Sequence, residues 1–371
     1  AELANLIGNI NAGGGGVNRN VIINGAMNVA QRGTSSTGLG ANTDATTRYQ
    51  TIDRFGIDVE GTTLGRYTMT QDSSAPEGFA NSLKLECTTA DTSIGAAELV
   101  TLSQIIEGQN AQTFAKGTSS AKPYAVSFYV KGNASATYVC ELFDGDNSRH
   151  VAKTFSVTTD WTRVELSFPA DTTGAFDDDT AASLYLQIFL HAGSNFSSGT
   201  LPATWASKTN ANRAAGGGSF FDSTSRTFFI TGVQLEVGQN PTSFEHIPFE
   251  KELLSCRRYY HKIDSSDSIY QRLGQGQAYS NDDAVLFFHH VPEMRGIPTL
   301  DHGTLSDLAV GLSGLTAKSM GSLTIDTNTD GANTTCLIAG DVTDDGLSAG
   351  NVVQIFSNNN SNGYIAFKAE L

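Results

Sequence analysis

Trp205 stands in the polar run LPATWASKTNAN and is the ring of this 371-residue chain best placed to meet a ligand. Tyr49, Tyr185 and Tyr279 are the next candidates. An isolated ring set among amides, hydroxyls and carboxylates suits sugar recognition, because the sugar face stacks on the ring while the polar neighbours bind its hydroxyls. The competing reading is that each ring covers a sheet edge or packs against a loop. Two acidic stretches, Asp144-Gly-Asp146-Asn147 and Asp177-Asp178-Asp179, carry oxygen ligands of the kind calcium takes. Solvated turns are the favoured account of both.

Bond-making chemistry finds less support. Gly346-Leu-Ser-Ala-Gly350 matches G-x-S-x-G, but a nucleophile elbow needs a helix after the serine and a histidine later in the chain. The last histidine, His302, precedes Ser348, so a glycine-rich turn explains the match. Asp326-x-Asn328-x-Asp330-Gly331 imitates half of a calcium loop, yet Leu337 fills the twelfth position, where a bidentate glutamate is required. His289 and His290 are neighbours on a predicted strand and point to opposite faces, so one is expected to pack and the other to face water. No pair of acidic residues can be singled out for glycoside hydrolysis, and no β-helical repeat is visible. The expectation is a protein with no catalytic residues and no required cofactor.

Composition narrows the class. A hydrophobic fraction of 39%, with 20 Phe and 11 Tyr, argues against disorder, while 16% charged residues and 38 Gly fit many short strands joined by polar turns. The net charge of −15, with no Lys/Arg cluster, argues against nucleic-acid binding and against attraction to anionic membranes. No apolar run of about 18 residues is present to span a bilayer. The four cysteines, Cys87, Cys140, Cys256 and Cys336, are widely spaced and read as buried free thiols of a protein assembled in a reducing cytoplasm.

The elements that must position these residues are strands. Period-2 alternation is clear at 124–130, where Tyr124, Val126, Phe128 and Val130 share one face, and at 184–190, where Leu184, Leu186, Ile188 and Leu190 do. The pattern predicts an all-β chain: a jelly-roll sandwich over 18–249, a connecting helix over 250–262 and a smaller β-domain over 263–371. The helix carries Phe249, Leu253, Cys256 and Tyr260 as its apolar stripe. Residues 1–17 form an arm and glycine tether. In it Leu3, Leu6, Ile7 and Ile10 fall at helical spacing, suited to docking on another protein or bundling with copies of the chain, and a frayed terminus is the alternative reading.

The segment GVQLEVG…TSFEHIPFEKELLSCRRYY, 232–260, resembles one found in tailed-bacteriophage structural proteins, mostly tail-fibre and tail-tip proteins, where it joins a jelly roll to a terminal β-domain. NVIINGAMNVAQRG, 20–33, resembles the opening strand of that jelly roll, and Asp53-Arg54-Phe55 its D-R-W strand, with phenylalanine in place of tryptophan. WTRVELSF, 161–168, is similar to a strand of jelly-roll carbohydrate-binding modules, and VPEMRGIPT, 291–299, to the phage terminal domain. The resemblance implies a virion protein, assembled in the bacterial host cytoplasm, that contributes to adsorption on a host-surface glycan. It also implies self-association, with a homotrimer as the leading expectation; in such a particle the helical spacing of Leu3, Leu6, Ile7 and Ile10 would suit contacts with other virion proteins. A structural calcium between the loops of Asp144, Asp146 and Asp177 would accompany such a fold. A capsid decoration or head-fibre protein is the alternative, and a polysaccharide-degrading tailspike a third reading.

Overall fold

In a computed structural model the described residues are 4, 7, 18–41, 48–61, 64–312, 317–326, 331–343 and 347–371. By their contacts they divide into two units, Ala1–Glu252 with Leu371, and Leu253–Glu370. The fold is all-β.

The first unit is built from β1 (Ser35–Leu39), β2 (Gly56–Glu60), β3 (Arg66–Asp72), β4 (Ser82–Thr89), β5 (Leu99–Glu107), β6 (Tyr124–Gly132), β7 (Ala136–Asp144), β8 (Arg149–Val157), β9 (Thr162–Phe168), β10 (Ala182–Ala192), β11 (Ala206–Ser207) and β12 (Thr227–Val237). They form two six-stranded antiparallel sheets, β1-β3-β4-β12-β6-β9 and β11-β8-β7-β10-β5-β2. Inward side chains at alternate positions, among them Val126, Phe128, Leu142, Phe155, Leu186 and Ile230, make one buried core between the sheets. The consequence is that the intervening residues of each strand are presented on the outer faces.

Two expected strands are turns instead. In 18–33, Asn24 and Met27 hold φ of 61° and 58°, outside the region of regular strand backbone. The Asn24 amide spans the bend by donating to the Val29 and Asp53 carbonyls. Gly25 lies against β12 so tightly that a Cβ there would meet the Val233 carbonyl oxygen at 2.2 Å. Asp53-Arg54-Phe55 is likewise a turn, because Arg54 takes φ 72° and carries its buried guanidinium to the Ile105 carbonyl at 2.6 Å.

The QLE…TSFE sequence acts as a clasp. The Glu245 carboxylate accepts the backbone N–H groups of Asn18, Arg19 and Asn20 at 2.6, 2.8 and 3.0 Å. Buried Glu236 accepts from the Thr242 N–H at 2.7 Å and pairs with Arg19 at 3.4 Å.

The second unit contains β13 (Tyr260–Asp264), β14 (Arg272–Ala278), β15 (Ala284–His289), β16 (Thr299–His302), β17 (Leu308–Leu312), β18 (Ser322–Ile325), β19 (Thr334–Gly340), β20 (Val352–Ser357) and β21 (Tyr364–Lys368). A three-stranded sheet, β13-β21-β16, and a six-stranded sheet, β17-β20-β14-β15-β19-β18, share a core that includes Leu286, Phe288, Leu337, Ile355 and Phe367.

The connecting helix is shorter than expected. It runs Phe249–Arg257, and Tyr260 already belongs to β13, paired with Lys368. Its stripe also differs: Phe249 is exposed, whereas Glu252 is buried and accepts the Asn24 N–H at 2.9 Å. Burial pushes the Glu252 carboxyl up, and that hydrogen bond opposes the shift. Among the described residues no helix is long and apolar enough to cross a membrane.

Candidate functional site

Strand register determines what the outer face of the β5–β10 sheet can bind. Tyr185 is directly opposite Phe143, Gln187 opposite Glu141, and Phe189 opposite Val139. With Leu184, Leu186 and Leu142 in the core, these residues point outward. Half of this face is closed. A segment from Gly193 to Gly218 lies over it, burying Phe189, Phe196, Val139, Ala152 and Ala214 together. Arg213 fixes that cover. Its Nη2 donates to Glu141 Oε2 at 2.6 Å and to Gln187 Oε1 at 2.7 Å, and the guanidinium lies 5.1 Å from the Phe189 ring centre and 5.4 Å from that of Phe143. His150 Nδ1 lies 2.8 Å from Glu141 Oε1, so the buried carboxylate has partners on two sides.

The other half is open. Tyr185 and Phe143 are half-buried, their ring centres 5.3 Å apart and tilted by 55°. On one flank Arg48 pairs with Asp58, and its Nη2 donates to Ser103 Oγ at 2.6 Å. On the other, exposed Lys208 holds its ammonium 5.1 Å from the Phe143 ring centre. Burial pushes the Asp58 carboxyl up, against the pull of the Arg48 guanidinium and its hydrogen bonds. Burial raises the Tyr185 hydroxyl too, with Arg48 opposing and Asp58 and Asp146 adding to the rise. The shelf therefore combines two aromatic faces with an Arg48–Asp58 ion pair on one rim and a lysine ammonium on the other.

Of the rings expected to meet ligand, Tyr185 lies on this shelf. Trp205 does not present a face. It is buried, its Nε1 donates to the Pro169 carbonyl at 2.9 Å, and its ring packs 5.4 Å from Tyr124. The short edge strand β11, paired to β8, turns the loop inward there. Tyr49 is also buried, between the guanidinium groups of Arg32 and Arg48 at 5.5 and 5.4 Å. Tyr279, in the second unit, is 77% exposed and edges a shallow depression of 370 Å³ with Gln277, Val285 and Phe287. Phe143, Arg48, Asp58 and Lys208 escaped the sequence. Only the period-2 alternation of ELFD hinted at Phe143, and nothing local set its partner.

The acidic turns do not gather their three carboxylates round one point. Asp144 is buried and its Oδ2 lies 2.5 Å from Lys116 Nζ. Asp146 and Asp177 are exposed, and Asp146 Oδ2 accepts the Asp177 N–H at 3.0 Å. Among the described residues no group of three or more His, Cys, Asp or Glu side chains is placed to hold a metal ion. Of the arm residues, Ile7 is exposed, whereas Leu3, Leu6 and Ile10 lie outside the described residues, as do Asn328 and Asp330.

No protein-family model and no curated protein matches the chain. Solved structures similar to it include CBM4, at 12% identity and TM-score 0.28, covering 58% of this chain and 97% of that one. Another is the family 11 carbohydrate-binding module from Clostridium thermocellum in complex with a β-1,3-1,4-mixed-linked tetrasaccharide, at 11% identity and TM-score 0.26, covering 57% and 98%. A third is the enzymatically active domain of bacteriophage CBA120 tailspike protein 4, at 12% identity and TM-score 0.30, covering 59% of this chain and 21% of that one.

Proposed function

We propose that this chain is a non-enzymatic structural protein of a bacteriophage virion, a tail-fibre or tail-tip component that binds a host-surface glycan through the Phe143–Tyr185 shelf. The observation that carries the glycan reading is the pairing of two half-exposed rings across β7 and β10 with charged groups on both sides. Rings supply the apolar contact. Arg48, Asp58 and Lys208 supply hydrogen bonds to hydroxyls at the edges of the stacked sugar. The virion assignment rests on the sequence resemblance of 20–33, 232–260 and 291–299. It carries with it self-association as a homotrimer and docking on other virion proteins through the arm of Leu3, Leu6, Ile7 and Ile10.

A glycan array probed with the intact chain, Tyr185→Ala and Phe143→Ala tests the reading. The intact chain is expected to bind a defined set of glycans, and each variant to lose about 10-fold in affinity, the equivalent of roughly 1.4 kcal/mol of stacking. Equal binding by all three proteins excludes the shelf. Depolymerisation of host polysaccharide by purified protein would favour the tailspike reading instead, and labelling of phage heads rather than tails the capsid-decoration reading.

A further inference from the structure

Lys116 follows a short 3-10 turn, Gln112–Phe114, and is buried to 3% exposure. Its Nζ meets four oxygens from two chain segments: Asp144 Oδ2 at 2.5 Å at the end of β7, and from the 171–174 stretch the Thr173 carbonyl at 2.8 Å, the Gly174 carbonyl at 2.7 Å and Asp171 Oδ2 at 3.2 Å. The Phe176 and Trp205 rings lie 5.3 Å away, each presenting a negative face to the ammonium. Two carboxylates and two carbonyls around a buried point charge is a donor set that a hard divalent cation prefers, since such ions take oxygen ligands and favour carboxylates. Here the charge is brought by the chain itself. Arg149 completes the balance, its Nε 2.7 Å from Asp171 Oδ2 and its Nη2 donating to the Trp205 carbonyl at 3.0 Å, while the Asn147 amide lies against both Asp144 oxygens.

We propose that Lys116 is a tethered cation holding the place a structural calcium would take, and that shortening this side chain converts the cage into a divalent-cation site. The cage binds together the β7–β8 turn that follows Phe143, the 171–176 loop, and the Trp205 segment that leads to Lys208. Lys116 is thus a positioning residue for the shelf, and the intact protein needs no metal to hold its shelf in place.

Melting of the full chain, of Lys116→Ala and of Lys116→Met, each with calcium and with a chelator, tests this. The intact chain is expected to melt at the same temperature in both. Lys116→Ala is expected to melt about 10 °C lower in chelator, because two carboxylates lose their buried counter-charge, and to recover most of that shift with millimolar calcium. Lys116→Met fills the cage without charge, so it is expected to be destabilised and to gain nothing from calcium. If Lys116→Ala folds only when calcium is supplied, the proposal stands. Failure to fold or to recover in calcium overturns it, as does an equal calcium shift in the intact chain. These measurements do not depend on the glycan reading. A second arm does rest on it: Lys116→Ala is expected to bind the array glycans only with calcium, whereas the intact chain binds them in chelator.

Discussion

The Nδ1 atoms of His261 and His290 lie 3.4 Å apart inside the second unit. His290 Nε2 is 2.9 Å from Thr335 Oγ1, and the Phe367 ring packs 4.7 Å from the His290 ring. Burial disfavours the charged form of both imidazoles. Burial, then Arg257 and His290, pushes His261 down to about 4, and burial, then His289, does the same to His290.

That pair is expected to make the second unit acid-sensitive. Both histidines have depressed values in the folded state against about 6.5 in the unfolded chain, so the unfolded state binds more protons between those limits. Stability is fully present above about pH 6.5 and is expected to fall as pH drops toward 4. Calorimetry of the full chain checks this: the pH-dependent transition should flatten in His290→Gln, and an identical slope in that variant would remove the pair as the cause.

Gly25 tolerates no side chain. A methyl group would penetrate the Val233 carbonyl at 2.2 Å, and both partners are backbone, so neither can swing away. Gly25→Ala is expected to cost about 1–3 kcal/mol, read as a lower urea midpoint at unchanged slope.

Glu245→Ala leaves three backbone donors of Asn18, Arg19 and Asn20 without their acceptor. A loss of about 2 kcal/mol is expected, with faster hydrogen exchange confined to those three amides if the clasp is local.

All four cysteines are buried thiols outside any disulfide. Burial raises the Cys140 thiol far above its usual value, Glu141 adding to the rise. A thiol reagent is therefore expected to leave the native protein unmodified and to titrate four groups in denaturant. Rapid modification of even one in the native state would contradict the packing.

Strand alternation was legible wherever one face is fully apolar, as at Tyr124–Val130 and Leu184–Leu190, because burial dictates period 2. The turns at Asn24 and Arg54 were not, since left-handed backbone at a non-glycine residue depends on tertiary hydrogen bonds. Tyr185 could be nominated from its own segment, but the shelf needs Phe143, 42 residues earlier, and only sheet register supplies it. Trp205 misled for the same reason: a ring in a polar loop looks exposed until an edge strand brings it against Tyr124.

The clasp between Glu245 and the backbone of Asn18–Asn20 brings the entry and exit of the sandwich side by side. A body whose two ends leave together can be spliced into a surface loop of an unrelated host protein without stretching either connection, as a portable cassette. Glu245 would then be the fastener that keeps the graft closed.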